Sequence, residues 1–215
     1  WNQSDIATEL NISRATVSRL LQFGRDRGLV TIKIHNPVAP LHQLEVDLLA
    51  KYPSLHKIII VPGTDDPLEE VGAAGAKYIE QVVEDKDIIG LGWGKTVYQV
   101  GLHLKPKDVT GITVVQMKGS MANTNTRNYA FETVNIFANA FNTVPQYLPL
   151  PVIFDHAKTR ELVANDTHIK HILKLGEQSN IAVFTVGTVR DSALLFKLGY
   201  FTKQEQLTLQ HEAVG

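Results

Sequence analysis

The sequence contains no cysteine. This absence excludes a disulfide framework, a cysteine nucleophile and a thiolate-bound metal, and it is compatible with a reducing compartment. No stretch approaches the roughly 20 apolar residues of a membrane span. The opening residues Trp1-Asn2-Gln3-Ser4 also lack the basic and apolar regions of a signal peptide. We therefore expect a cytoplasmic protein without a membrane partner.

An excess of either charge is also missing. Lys and Arg number 21 and Asp and Glu number 22, which gives a net charge of -1, so any DNA-binding surface must be local. The eight histidines show no metal-ligand spacing; His168 and His171, three residues apart, fit the surface of a helix better than the site of a metal-responsive repressor. We expect neither a metal nor a cofactor.

The 215 residues, 44% of them hydrophobic, can form one large domain and a small one. The chain opens without an initiator methionine and stops at Gly215 without a helix cap. We interpret it as a fragment of a longer protein.

The first 37 residues have the pattern of a winged helix-turn-helix. Residues 3–10 predict a short helix, and Asn11-Ile12 a tight turn. Ser13 suits the N-cap of a second helix that ends near Arg27, with Gly28 as its C′ residue. Residues 30–34 alternate in the period-2 manner of a strand.

The remaining chain predicts an α/β domain. Residues 38–55 read as a connecting helix, because Leu41, Leu44, Leu48 and Leu49 recur at helical spacing. From residue 56 onward, apolar strands alternate with helices, which indicates a Rossmann-like, doubly wound parallel sheet covered on both faces. The predicted strands are 58–61, 87–91, 112–117 and 181–185, and the predicted helices are 67–83, about 95–103, and 131–139.

The second helix of the N-terminal pair carries a local positive charge. Four arginines (14, 19, 25 and 27) lie against one acid, Asp26. Val17, Leu20, Leu21 and Gly24 form the side that packs on the first helix, and the opposite side suits a major groove. We predict that base edges are contacted by Arg14, Ser18 and Arg19, and DNA phosphates by Ser13 and Thr16. The alternative is the solvated basic face of an ordinary helix pair.

Two loops that follow predicted strands have the composition of an anion site. Glycines in Gly90-Leu-Gly-Trp-Gly-Lys-Thr96 allow backbone N–H groups to approach a phosphate at a helix N-terminus. Lys95 breaks the dinucleotide fingerprint and Ile89 breaks the P-loop, so phosphate is favoured over a nucleotide. A second loop, Thr185-Val-Gly-Thr-Val189, lies at the same end of the sheet. The effector residues predicted in these loops are Gly92, Trp93, Gly94, Lys95, Thr96, Gly187, Thr188 and Val189. Alternatively, the glycines only tighten a strand–helix turn.

Lys118 ends a predicted strand and should enter the same pocket, together with Gln116. It could pair with a phosphate as a point charge, or form a Schiff base with an open-chain aldehyde sugar. An ordinary solvated lysine at a strand end remains the competing interpretation.

These segments, taken together, resemble the SorC/DeoR family of bacterial transcriptional regulators along essentially the whole chain. The resemblance is carried by residues 3–21, 90–96, 114–118, Leu148-Pro-Leu-Pro151, 184–190 and 193–200. It implies a non-catalytic sugar-binding domain related to phosphosugar isomerases. It also implies a homo-oligomer, usually a tetramer, that a phosphorylated sugar releases from operator DNA. In the most similar members that sugar is deoxyribose-5-phosphate, and Lys118 matches the position of its Schiff base.

The sequence departs from the family pattern at both ends, where the first DNA-binding helix and the last part of the effector domain are missing. Lys95 also replaces a smaller residue. The main rival function is a sugar-phosphate isomerase or aldolase that uses Lys118. Such an enzyme needs a positioned base; Asp155, His156 and Asp191 lie near the candidate loops, but no spacing identifies one.

Overall fold

The computed structural model describes residues 2–27, 29, 39–63, 65–120 and 128–212. It divides into two compact units, residues 1–55 and 56–215. Among the helices of these described ranges, none has the length and apolar character to cross a membrane.

In its described residues the first unit contains three helices: α1 (Gln3–Glu9), α2 (Arg14–Asp26) and α3 (Ala39–Lys51). The Asn2 side chain accepts hydrogen bonds from the backbone of Ser4 and Asp5, and Asp5 accepts one from the Asn2 backbone, which completes a capping box. Ser13 caps α2 as predicted, since its Oγ accepts the backbone N–H of Thr16 at 3.1 Å. The expected wing strand at 30–34 and Gly28 lie outside the described residues.

The contact between α1 and α2 is smaller than the apolar pattern predicted. Val17 and Gly24 are buried. Leu20, however, is 55% exposed, so the expectation that it packs on the first helix is wrong. Helices of 7 and 13 residues offer too little surface to cover all the apolar side chains of such a pair.

The second unit is built on a four-stranded parallel sheet with the order β3-β2-β1-β4. The strands are β1 (Ile88–Leu91), β2 (Thr113–Gln116), β3 (Pro145–Gln146) and β4 (Ile181–Val183). The helices are α4 (Pro67–Val82), α5 (Lys95–His103), α6 (Ala130–Ala140), α7 (Ala157–Ala164), α8 (Thr167–Glu177), α9 (Leu194–Lys197) and α10 (Lys203–His211).

Helices cover both faces of this sheet, as the strand pattern predicted. Side chains alternate along a strand, so neighbouring residues enter opposite layers. Ile89 and Val114 pack with buried residues of α4, α5 and α6. Val115 packs with Ile169 and Ile172 of α8 in a separate cluster. The α/β fold with a parallel sheet is therefore confirmed.

The strand order produces a change of direction at β1. From β1 the chain passes through α5 to β2 and through α6 to β3, always toward the same edge. It then returns through α7 and α8 to β4, on the other side of β1. In open parallel sheets a crevice forms at such a point, beyond the carboxyl ends of the two strands.

Two strand predictions need correction. Residues 58–61 belong to none of the strands of this sheet, and Ile59 is 44% exposed. A short apolar run indicates partial burial, but it does not establish that the segment pairs with another strand. The predicted buried strand 181–185 ends at Val183. Its neighbour is β1, and in the described residues β4 forms an edge of the sheet, so Ala182 and Phe184 are exposed.

Gly119, just after β2, packs directly against the Leu150-Pro151 backbone. A Cβ atom at this position would lie 2.5 Å from the Leu150 carbonyl oxygen and would also meet the Pro151 carbonyl. Because two backbone carbonyls cannot move as freely as a side chain, Gly119→Ala should lower the free energy of unfolding by about 1–3 kcal/mol. Urea unfolding measures this loss. Gly63→Ala is the control, because no atom lies within 4 Å of its Cβ position; equal stability of the two variants would contradict the packing described.

Candidate functional site

A cavity of about 600 Å³ lies at the carboxyl ends of β1 and β4, where the chain changes direction. Its volume is in the range of small-molecule sites. The loop after β1, the loop after β4 and the end of β2 all contribute to it. The lining residues are Gly92, Trp93, Gly94, Lys95, Lys118, Tyr129, Phe184, Thr185, Gly187, Thr188, Ser192, Ala193, Leu194, Leu195 and Lys197.

The N-terminus of α5 opens into this cavity. Its N-cap is Gly94, at φ 147°, a conformation that residues with a side chain rarely adopt, and within the described ranges no side chain caps the helix. A Cβ added to Gly94 would have only Thr185 Oγ1 within 4 Å, at 3.9 Å, so the backbone is open to close approach. The free N–H groups and the helix dipole together favour an anion at this point.

Lys118 is half-buried and lies against an aromatic face. Its Nζ is 4.3 Å from the centroid of the Trp93 ring. Burial lowers the pKa of Lys118 below its ordinary value, because the charged form loses solvation. A lysine with a lowered pKa has more of the neutral amine that attacks carbonyl carbons.

Two buried side chains hold the backbone that carries Lys118. Gln116 donates from Nε2 to the Lys118 carbonyl oxygen at 2.6 Å, and Trp93 donates from Nε1 to the Gly119 carbonyl oxygen at 2.8 Å. Ser120 N adds a hydrogen bond of 2.9 Å to the Leu150 carbonyl. The turn after β2 is therefore fixed on both sides, and Lys118 starts from a rigid base.

The charge of the lining residues has one sign. Lys95, Lys118 and Lys197 line the cavity, and among the described residues no aspartate, glutamate or histidine does. Thr185, Thr188 and Ser192 add hydroxyl groups that can bind sugar hydroxyls. This combination suits a small anion with polar substituents, such as a phosphorylated sugar.

The structure brings seven of the ten predicted effector residues together in the cavity: Gly92, Trp93, Gly94, Lys95, Lys118, Gly187 and Thr188. The other three lie elsewhere. Thr96 lines a second, mainly apolar cavity of about 370 Å³ beside α4 and β4. Gln116 is buried behind Lys118, and the Val189 carbonyl accepts a hydrogen bond from Gln210.

Several lining residues were missed at the sequence level. Tyr129 is the N-cap of α6 at φ 65°, and nothing in its local sequence marks it. Ser192 and Lys197 enter the cavity because the chain turns back after β4. Both residues follow the loop after β4, and this position in the sequence could have identified them.

The other candidate residues lie away from this cavity. On α2, Arg14, Ser18 and Arg19 are exposed. Ser13 and Thr16 share a hydrogen bond of 2.8 Å between their hydroxyl groups. Asp155, His156 and Asp191, considered as enzymatic bases, do not line the cavity. Hydrogen bonds from Gln210 and then Lys203 lower the pKa of Asp191. Within the described ranges, no group of side chains could hold a metal ion.

Comparison with known proteins gives consistent results. The family model Sugar-bind, described as "Putative sugar-binding domain", matches residues 36–215. The Deoxyribonucleoside regulator of Bacillus subtilis (strain 168) is 45% identical over 100% of this chain and 70% of its own length. The Sorbitol operon regulator of Klebsiella pneumoniae is 28% identical, over 98% and 69%. YjhU of Escherichia coli (strain K12), an uncharacterised transcriptional regulator, is 27% identical, and the chain spans 65% of its length.

The fold is also shared with solved structures. The full-length sorbitol operon regulator SorC from Klebsiella pneumoniae superposes with a TM-score of 0.73 at 24% identity, over 99% of this chain and 70% of that one. A domain of a possible sugar-binding transcriptional regulator from Arthrobacter aurescens TC1 gives a TM-score of 0.68 at 28% identity, over 79% and 67%.

The lowered pKa of Lys118 predicts a pH dependence of stability. In the unfolded chain this lysine regains its ordinary pKa of about 10.4, so the unfolded state binds the proton more tightly. Lys118 therefore destabilises the folded state fully at pH values below its pKa in the folded protein. This destabilisation disappears as the pH rises toward the ordinary pKa of lysine. Lys118→Met removes this contribution, so its melting temperature should exceed that of the parent chain most near pH 7. The difference between the two melting temperatures should shrink toward pH 10. Thermal unfolding across this range measures it. Lys158→Met, at an exposed position outside the cavity, should show no such trend; parallel curves for Lys118→Met would contradict the burial.

Proposed function

Because the chain belongs to the SorC/DeoR family of sugar-binding transcriptional regulators, we propose that it represses a sugar or deoxyribonucleoside catabolic operon and is released from the operator by a phosphorylated sugar. Its relatives are named regulators, so the chain is a transcriptional regulator and not an enzyme. The observation that supports the effector most strongly is a cavity with three lysines and, in the described part of the chain, no lining carboxylate. Among its described residues this lining has neither a carboxylate nor a histidine to serve as the base for isomerase or aldolase chemistry.

The phosphate of the effector is assigned to the N-terminus of α5. Gly94 leaves the first N–H groups of this helix open, and Lys95 adds a positive charge beside them. Lys197, across the cavity lining, is a second candidate cation. With the phosphate held there, the hydroxyls of Thr188 and Ser192 are available to the sugar. Gly187, which has no atom of the described residues within 4 Å of its Cβ position, allows the close approach that this arrangement needs.

The other end of the sugar is assigned to Lys118, through a Schiff base. The neutral Nζ attacks the aldehyde carbon of the open-chain sugar, a carbinolamine forms, and loss of one water leaves a C=N bond. The lowered pKa of Lys118 supplies the neutral amine. Deoxyribose-5-phosphate carries both a phosphate and a latent aldehyde, and the name of the Bacillus subtilis relative favours a deoxyribonucleoside operon.

The DNA-binding part is assigned to the helix pair α1 and α2, as a winged helix-turn-helix within residues 1–37. Arg14, Ser18 and Arg19 are exposed on α2 and are proposed to contact base edges. Ser13 and Thr16 are proposed to contact phosphates, which set the register of the helix on DNA. We extend the proposal to a cytoplasmic homotetramer, with residues 38–55 as the connection to an effector domain that starts at residue 56.

Reductive trapping tests the effector assignment. On mixing with deoxyribose-5-phosphate and borohydride, the intact mass should rise by one reduced sugar-phosphate, and peptide mapping should place it on Lys118. Lys118→Arg keeps the positive charge but cannot form the imine, so its mass should not change. An adduct of equal yield in Lys118→Arg would move the reaction to another amine and contradict the assignment.

Arg19→Ala tests the DNA-binding assignment. If Arg19 reads a guanine, specific binding to an operator selected from random sequences should weaken by about 1–3 kcal/mol, while binding to random DNA changes much less. Fluorescence anisotropy titrations at fixed salt measure both affinities. Arg25→Ala removes the same charge from the last turn of α2 and serves as the matched control. Equal losses on specific and random DNA would make Arg19 a phosphate contact.

A further inference from the structure

We propose that the indole of Trp93 makes this cavity selective for phosphorylated aldehyde sugars that carry a methylene, and not a hydroxyl, next to the aldehyde carbon. This inference rests on the proposed function, because it requires the aldehyde to bind at Lys118. The sequence predicted only that Trp93 contacts the ligand; the inference adds that this residue determines which sugar is bound.

The first step is the position of the ring. Trp93 lines the cavity, is 6% exposed, and packs in a small core with Ala130 and Leu198. The Lys118 Nζ lies 4.3 Å from the ring centroid. In an imine the aldehyde carbon is bonded to Nζ, and the next carbon is one bond further, so the indole face is within reach of both atoms, and the proposal places them against it.

The second step concerns the polar atoms of Trp93 and Gln116, which other groups of the protein already engage. The single polar atom of the indole, Nε1, already donates to the Gly119 carbonyl oxygen at 2.8 Å. The amide of Gln116 is also engaged, with Nε2 donating to the Lys118 carbonyl and Oε1 accepting from the Leu148 N–H. A hydroxyl on the sugar carbon beside the ring would therefore lose its bond to water without gaining one from either side chain. A methylene loses nothing there and gains contact with the ring.

The third step is rigidity. Turning the indole to make room for a hydroxyl would break the bond to Gly119, whose backbone is itself wedged against Leu150 and Pro151. The ring can thus discriminate between sugars without any rearrangement. An unsatisfied hydroxyl at such a position lowers affinity by about tenfold or more.

The test compares deoxyribose-5-phosphate with ribose-5-phosphate by the sugar concentration that gives half-maximal reductive trapping. The two sugars differ in their fraction of open-chain aldehyde, but this fraction does not depend on the protein. It therefore cancels when the ratio of the two half-maximal sugar concentrations is compared between protein variants. The parent chain should favour the deoxy sugar. Trp93→Gln removes the ring and adds polar atoms, and should reduce the preference by about tenfold. Trp93→Phe removes the N–H bond but retains an aromatic face, and should keep the preference within about threefold.

Circular dichroism shows whether each variant is folded, and Trp93→His replaces Trp93→Gln if the glutamine variant is not. A ratio that is the same in the parent and in the ring-free variant would overturn the selectivity, even with full trapping at Lys118. If neither sugar is trapped by the parent chain, the Schiff-base part of the proposed function fails and the selectivity fails with it. The two failures are therefore distinguishable.

Discussion

The parallel pairing of β1 with β2 on one side and with β4 on the other is the constraint on which the site depends. Since the connection from β1 runs to β2 on one side while β4 lies on the other, a crevice opens beyond the ends of β1 and β4. The Gly92–Gly94 turn follows β1, Thr185 follows β4, and Lys118 follows β2. A polar cavity with open backbone groups is the direct result of this strand order.

Within that frame, the cavity separates two kinds of chemistry. The N-terminus of α5 and Lys95 provide a positive potential that favours an anion. Trp93 lies against Lys118, and burial lowers the pKa of that lysine. Desolvation of Lys118 favours its neutral form, which the proposed imine requires.

Features that depend on neighbouring residues in the chain could be predicted from the sequence, whereas features that depend on tertiary packing could not. Glycines between a strand and a helix marked the loop after β1 that lines the cavity, and the end of β2 placed Lys118 in the same cavity, because both depend on a few neighbouring residues. Tyr129 could not be predicted, since it reaches the cavity from the N-cap of α6 in a left-handed backbone conformation that its local sequence does not mark. Residues 58–61 were predicted as a strand because an apolar run indicates burial. Such a run does not show whether the segment pairs with another strand. Gln116 was expected in contact with the ligand, yet it holds the Lys118 backbone instead.

A crystal structure of the chain with deoxyribose-5-phosphate would test the central claim most directly. The expected result is a phosphate on the N–H groups of α5 beside Lys95, with continuous density from the sugar to the Lys118 Nζ and the second carbon against the Trp93 ring. A sugar phosphate bound outside the cavity between the β1 and β4 loops, or a phosphate on Lys118 with the aldehyde end free, would contradict it.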